Sequence, residues 1–155
     1  MSFHSFYPAS RDAMSFDNLI KSVARRNQMG ELEFRDNRYY ISIDDRIELA
    51  CFQANGKFYL HGVIAKLPSR PDEQEELLKK LLQKHLGLIQ TQRISLCIEP
   101  DSDELSLSTT RTALGLNEDI IEEALAEFAN NFEYILTLIN EDALTMPSAP
   151  VMIMP

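Results

Sequence analysis

The apolar residues of this chain change spacing four times, and each change marks where a helix must give way to a strand or the reverse. Phe16, Leu19, Ile20 and Val23 recur at helical spacing, whereas Tyr39, Ile41 and Ile43 alternate. Leu78, Leu81, Leu82 and His85 return to helical spacing, and Ile94, Leu96 and Ile98 alternate again. Ile121, Leu125, Phe128, Phe132 and Ile135 close on a third helical stripe. A helix repeats its face every 3.6 residues and a strand every 2. The pattern therefore predicts an α+β fold in the order α-βββ-α-ββ-α, an antiparallel twisted sheet with helices packed on it.

Turn chemistry places the boundaries. The first helix is expected from about Asp12 to Asn27, with Gly30 just beyond its end, where a left-handed residue is easily accommodated. Leu32 and Phe34 open an extended stretch that turns at Asp36-Asn37, and Asp44-Asp45 supplies a second turn. The strand Ile47–Gln53 meets Ala54-Asn55-Gly56, and Asn-Gly favours the two positive φ angles of a type I′ hairpin into a strand from Phe58 to Ala65. Pro68 and Pro71 end extended structure and open a second helix, with Gly87 as its expected stop. The hairpin Arg93–Glu99 and Leu105–Thr110 follows, and Asn117 caps a last helix running to about Asn140. Three parts result: an arm (1–11) carrying Phe3, Phe6 and Tyr7, one α+β domain (12–142), and a flexible Met- and Pro-containing tail (143–155).

Composition excludes whole classes of function. The chain has 155 residues, 45% hydrophobic and 25% charged, as in a folded domain with a real core. Its apolar runs fall short of the roughly 20 residues that span a bilayer, and MSFHSFYPASRDAM lacks the basic and apolar regions of a secretory signal, so a cytoplasmic protein away from membranes is expected. The net charge of -9 is uneven: residues 1–111 hold 15 basic and 16 acidic groups, and beyond Arg111 there are eight acids and no Lys or Arg. Such a surface repels phosphate backbones, which excludes nucleic acid as a partner. A solvated helix face accounts for the acidic third; a basic or partly unfolded polypeptide is the alternative.

No constellation for catalysis emerges. His4, His61 and His85 do not pair with second ligands at i,i+2 or i,i+4 spacing, so no metal or other cofactor is expected. Cys51 and Cys97 read as reduced thiols within strands. Cys51 and His61 lie on either side of the Asn-Gly hairpin, but no third group orients them as a nucleophile and base. Asp101-Ser102-Asp103-Glu104 has the acidity of a calcium loop without its turning glycine or closing glutamate. The five glycines are isolated, so no phosphate loop precedes a helix.

From Phe16 to Ile139 the chain resembles the class I chaperones of type III secretion, the Tir-chaperone (CesT-like) family. The stretches that carry the likeness are FDNLIKSVARR, LEFRDNRYYISIDD, IELACFQANGKFYLHGVIAKLP, DEQEELLKKLLQKHLGL, RISLCIEPDSDELSLST and EDIIEEALAEFANNFEYILTLI. Two departures are the N-terminal extension and Gln28-Met29-Gly30, where members often carry Leu-Gly-Leu-Pro. The resemblance implies a non-enzymatic homodimer in a bacterial cytoplasm. It would hold the N-terminal region of a secreted effector extended and present it to the export apparatus. By similarity Leu19, Ile20, Val23, Phe34, Tyr39, Ile41 and Ile43 would line the effector groove, and Leu78, Leu82, Ile94, Leu96 and Ile98 the dimer seam. Intramolecular core is the competing role for each of these residues. Two other readings stand beside it: a regulatory module that binds a folded partner, and a small-molecule or hydrolytic domain built on Cys51 and His61.

Overall fold

The computed structural model describes residues 15–91, 93–99 and 101–144, without the side chains of 85–91 and 141–144. The aromatic arm, His4, the His85 side chain and the Met-containing tail lie outside what it describes. Helix α1 (Phe16–Arg26) begins at Phe16 and not at Asp12, because Ser15 is an extended N-cap (φ -63°, ψ 157°) whose Oγ accepts the Asn18 N–H at 3.1 Å. Its end is a Schellman closure: Met29 N–H donates to the Ala24 carbonyl at 2.9 Å and Gln28 N–H to that of Arg25 at 3.2 Å. The closure puts the left-handed conformation on Gln28 (φ 54°), one residue past the cap Asn27. Gly30 also has a positive φ (78°) but belongs to the connection that follows.

Six strands form the sheet, one more than the alternation shows: β1 (Glu33–Arg35), β2 (Arg38–Ile43), β3 (Ile47–Ala54), β4 (Lys57–Lys66), β5 (Ile94–Glu99) and β6 (Glu104–Thr112). Three residues are too few for a periodic signal, but Asp36 (φ 55°) and Asn37 (φ 62°) close a two-residue turn that pairs Phe34 with Tyr39. Asn55 (φ 53°) and Gly56 (φ 73°) make the expected type I′ turn. The strand order is β1-β2-β3-β4-β6-β5. The second hairpin therefore joins the meander through β6, leaving β1 and β5 as the terminal strands.

Helix α2 (Pro71–Thr91) and helix α3 (Glu118–Leu144) complete the order. Helix α2 continues through Gly87 to Thr91. An interior glycine costs about 1 kcal/mol relative to alanine but keeps its N–H, so it weakens a helix without ending it. Helix α3 is capped by Asn117, whose Oδ1 accepts the Ile120 N–H at 2.9 Å. It runs on past Asn140 to Leu144, a stretch free of glycine and proline.

The chain divides into two compact units, residues 1–60 with 110–127 and residues 61–109 with 128–155. In the first unit, Leu19, Ile20 and Val23 of α1, Ile41, Leu49, Cys51 and Phe58 of the sheet, and Ile121 and Ala124 of α3 are buried. The acidic start of α3 anchors α1. Ser22 Oγ donates to Glu118 at 2.7 Å, Arg26 pairs with Asp119 (3.1 Å) and Glu122 (3.2 Å), and Asn27 donates to Glu122 at 2.8 Å. Arg111 of β6 pairs with Glu127 of α3 at 2.6 Å. Glu118, Asp119, Glu122 and Glu127 are thus engaged with other elements of the fold, and a merely solvated face does not describe them. In the second unit, Leu77 and Leu81 of α2, Leu105 and Leu107 of β6, and Phe128, Phe132 and Ile135 of α3 are buried, and Lys80 Nζ donates to the Leu138 carbonyl at 3.2 Å.

Candidate functional site

At the β1 edge of the first unit, the start of α1 and the β1–β2 hairpin enclose an open cleft of about 410 Å³ lined by Phe16, Asp17, Phe34, Asn37, Tyr39 and Gln53. Three rings shape it. Phe34 lies 4.7 Å from Tyr39, centroid to centroid, and Phe16 lies 6.4 Å from Tyr39 and 5.8 Å from Phe58. The Tyr39 hydroxyl donates to Asp17 Oδ1 at 2.6 Å. Burial and that bond to a carboxylate push its pKa up to about 12, so it stays a neutral donor. The cleft is lined by three rings together with one carboxylate and two amides, and more of its exposed lining is polar than apolar, so it can meet both the main chain and a side chain of an extended peptide. Beside it, among the described residues β1 pairs with β2 alone, which leaves its outward main-chain groups available to an added strand.

The structure sorts the residues expected to line a groove. Phe34 is 54% exposed and Ile43 is half-buried. Leu19, Ile20, Val23, Tyr39 and Ile41 are buried in the first unit. Leu19, Ile20 and Val23 form the one apolar face of α1 and Tyr39 and Ile41 the inner row of β2, and the chain's own core takes both, so these five present almost no surface to a partner. Tyr39 is nonetheless among the residues that line the cleft. Phe16, which the spacing marked only as a helix residue, joins the cleft. Its place in the first turn, half-buried beside the cap, is the signal that could have found it.

The second unit carries the other set. Leu78 and Leu96 are half-buried, Ile94 is buried, Leu82 is 57% exposed and Ile98 is 44% exposed. Ile94 pairs in register with Thr109, whose Oγ1 donates to the Arg93 carbonyl, so Ile94 sits on the inner row of the sheet. Helix α2 contacts β5, and one side of its stripe (Leu77, Leu81) fills the core while Leu82 faces outward. Val63 and Tyr134 add apolar surface to this unit that the sequence did not single out.

Among the described residues, neither Cys51 nor His61 is set up as a catalytic group. Cys51 is fully buried, and burial pushes its thiol well above the usual range, the reverse of an activated nucleophile. His61 Nε2 lies 3.2 Å from Glu99 Oε2, which also accepts the Ser106 hydroxyl at 2.7 Å. Among the described residues no group of three or more His, Cys, Asp or Glu is placed to hold a metal ion, and no helix is long and apolar enough to cross a membrane.

The profile of the Tir chaperone protein (CesT) family matches residues 18–136. Three solved structures share the fold. A chain of the HopA1–SchA chaperone–effector complex is 18% identical with a TM-score of 0.59, over 79% of this chain and 93% of that one. A chain of the ExsC–ExsE complex is 12% identical with a TM-score of 0.62, over 81% and 96%. The Yersinia pestis type III secretion chaperone SycH, in complex with a stable fragment of YscM2, is 14% identical with a TM-score of 0.58, over 78% and 99%. No curated protein sequence matches the chain.

Proposed function

The chain belongs to the Tir chaperone protein (CesT) family, and on that premise we propose that it is a non-enzymatic chaperone of type III secretion. In this reading two identical chains hold the N-terminal region of a secreted effector extended, in the bacterial cytoplasm, and deliver it to the export apparatus. The observation that carries it is the β1 edge: a short, fully exposed terminal strand beside an aromatic cleft, with Phe34 half open to solvent. Main-chain bonds along β1 would supply affinity irrespective of sequence, and the ring-lined cleft would select an apolar side chain. Two of the similar structures, SchA with HopA1 and SycH with a fragment of YscM2, are of chaperones holding another polypeptide.

Pairing of two chains rests on the second unit, where Leu82 and Ile98 are exposed beside the unpaired side of β5. Co-purification from the native host tests the reading. The bound protein should be retained by its N-terminal ~100 residues alone, as extended binding requires. A partner that binds only as an intact folded domain would favour the regulatory module instead.

A further inference from the structure

On the face of the sheet turned away from the buried Ile41 and Leu49, a row of side chains crosses four strands of the first unit. Arg35 of β1 stands directly opposite Arg38 of β2. The Arg38 guanidinium lies over the Phe52 ring of β3, 4.2 Å from its centroid, and Phe52 stacks on Tyr59 of β4 at 5.0 Å with the planes 11° apart. Arg35 lies over Tyr40 at 4.0 Å. Two guanidinium groups facing each other across a strand pair repel. Glu33 relieves one of them, accepting from Arg35 Nε at 2.6 Å and holding that guanidinium's pKa above its ordinary value. The Arg38 side chain makes no hydrogen bond or ion pair among the described residues, and Asp36 in the adjoining turn pairs with neither arginine. Glu48 stands opposite Ser42, four residues along β2 from Arg38, or about 13 Å at the strand rise.

We propose that this row is a second docking surface, on which Arg38 receives a carboxylate from an acidic segment of a partner polypeptide while Phe52 and Tyr59 support the apolar side chain beside it. A guanidinium already flattened on a ring presents its fork of N–H donors at little further entropic cost, and that fork matches a carboxylate. The surroundings are rich in donors: the Tyr40 and Tyr59 hydroxyls and the exposed Lys57. A net charge of -9 repels a ligand in proportion to its own charge, so a short segment with one or two carboxylates beside an apolar side chain is tolerated where a phosphorylated chain or a headgroup array is not. The surface is separate from the cleft at Phe34 and does not rest on that cleft holding an effector.

The test is a titration of the isotope-labelled full chain with a capped Gly-Ser-flanked Asp-Phe-Asp peptide, followed by NMR into the millimolar range. Parallel arms use the Asn-Phe-Asn peptide and inorganic phosphate. Saturable shifts are expected at the Arg38 side chain and at Phe52 and Tyr59. Affinity should fall at least about fivefold for the Asn peptide, for Arg38→Ala, and for Arg38→Lys, which keeps the charge but not the planar fork. The thermal midpoint of both variants should stay near wild type. Absence of saturable shifts, equal binding by Arg38→Lys, or larger shifts from phosphate than from the acidic peptide would overturn the proposal.

Discussion

Among the described residues, strands β1 and β5 both end the sheet with one side unpaired, yet they differ in length, burial and charge. Strand β1 has three residues, all exposed, and Phe34 stands between the charges of Glu33 and Arg35. Strand β5 has six, with Ile94 buried, Leu96 half-buried and Ile98 exposed, and it carries no charge before Glu99. A terminal strand that is long, apolar and uncharged invites uncontrolled pairing unless something covers it, whereas a short strand flanked by charges resists that outcome. The first edge thus fits a brief, adaptable contact with an extended chain. The second, backed by α2 and Leu82, fits a permanent, self-complementary one.

The largest expected effect would separate these two roles outright. Leu82→Glu should place an unpaired charge in the seam and weaken pairing of two chains at least ~100-fold, about 2.7 kcal/mol, read as a halved mass by light scattering. Binding of the effector segment to each remaining chain should persist. The mirror change, Phe34→Glu, should lower effector affinity roughly 30-fold, about 2 kcal/mol for a central aromatic anchor, measured by calorimetry, and leave the mass unchanged. If either variant moved both readouts, the two edges would be one coupled surface.

Smaller effects sharpen the first edge. Tyr39→Phe removes the bond to Asp17 and should cost about 1 kcal/mol of stability in urea melts. It should also change the alkaline limb. The folded pKa of Tyr39, about 12, lies above the unfolded value of 10.0, so its contribution is complete below pH 10 and disappears as pH rises towards 12. The variant should lose that part of the decline. The smallest effect expected is a gain. Gln28→Gly relieves a left-handed non-glycine residue at the end of α1 and should add roughly 0.5–1 kcal/mol, with neither edge altered.

Periodicity made the element order legible, because three helical stripes and the alternating runs at Tyr39–Ile43 and Ile94–Ile98 each bury one face. Turn chemistry made two hairpins legible at Asp36-Asn37 and Asn55-Gly56. Strand β1 escaped the alternation because three residues carry no period, and the order β4-β6-β5 is set by long-range strand pairing that no local signal encodes. In the candidate site, the sequence pattern does not separate core from surface. Leu19, Ile20, Val23 and Ile41 share their pattern with any core face, and only the fold shows that the core takes them. Phe34 and Leu82 became distinguishable because the strand pairing and the helix contact leave them outside.

The most direct test of two unlike edges is native mass spectrometry of wild type, Phe34→Glu and Leu82→Glu, each purified from the native host. Wild type should appear as two copies of the chain with one other polypeptide, Phe34→Glu as two copies alone, and Leu82→Glu as single copies that still carry the other polypeptide. A Phe34→Glu protein that still carries the other polypeptide, together with a Leu82→Glu protein that remains paired, would contradict the account.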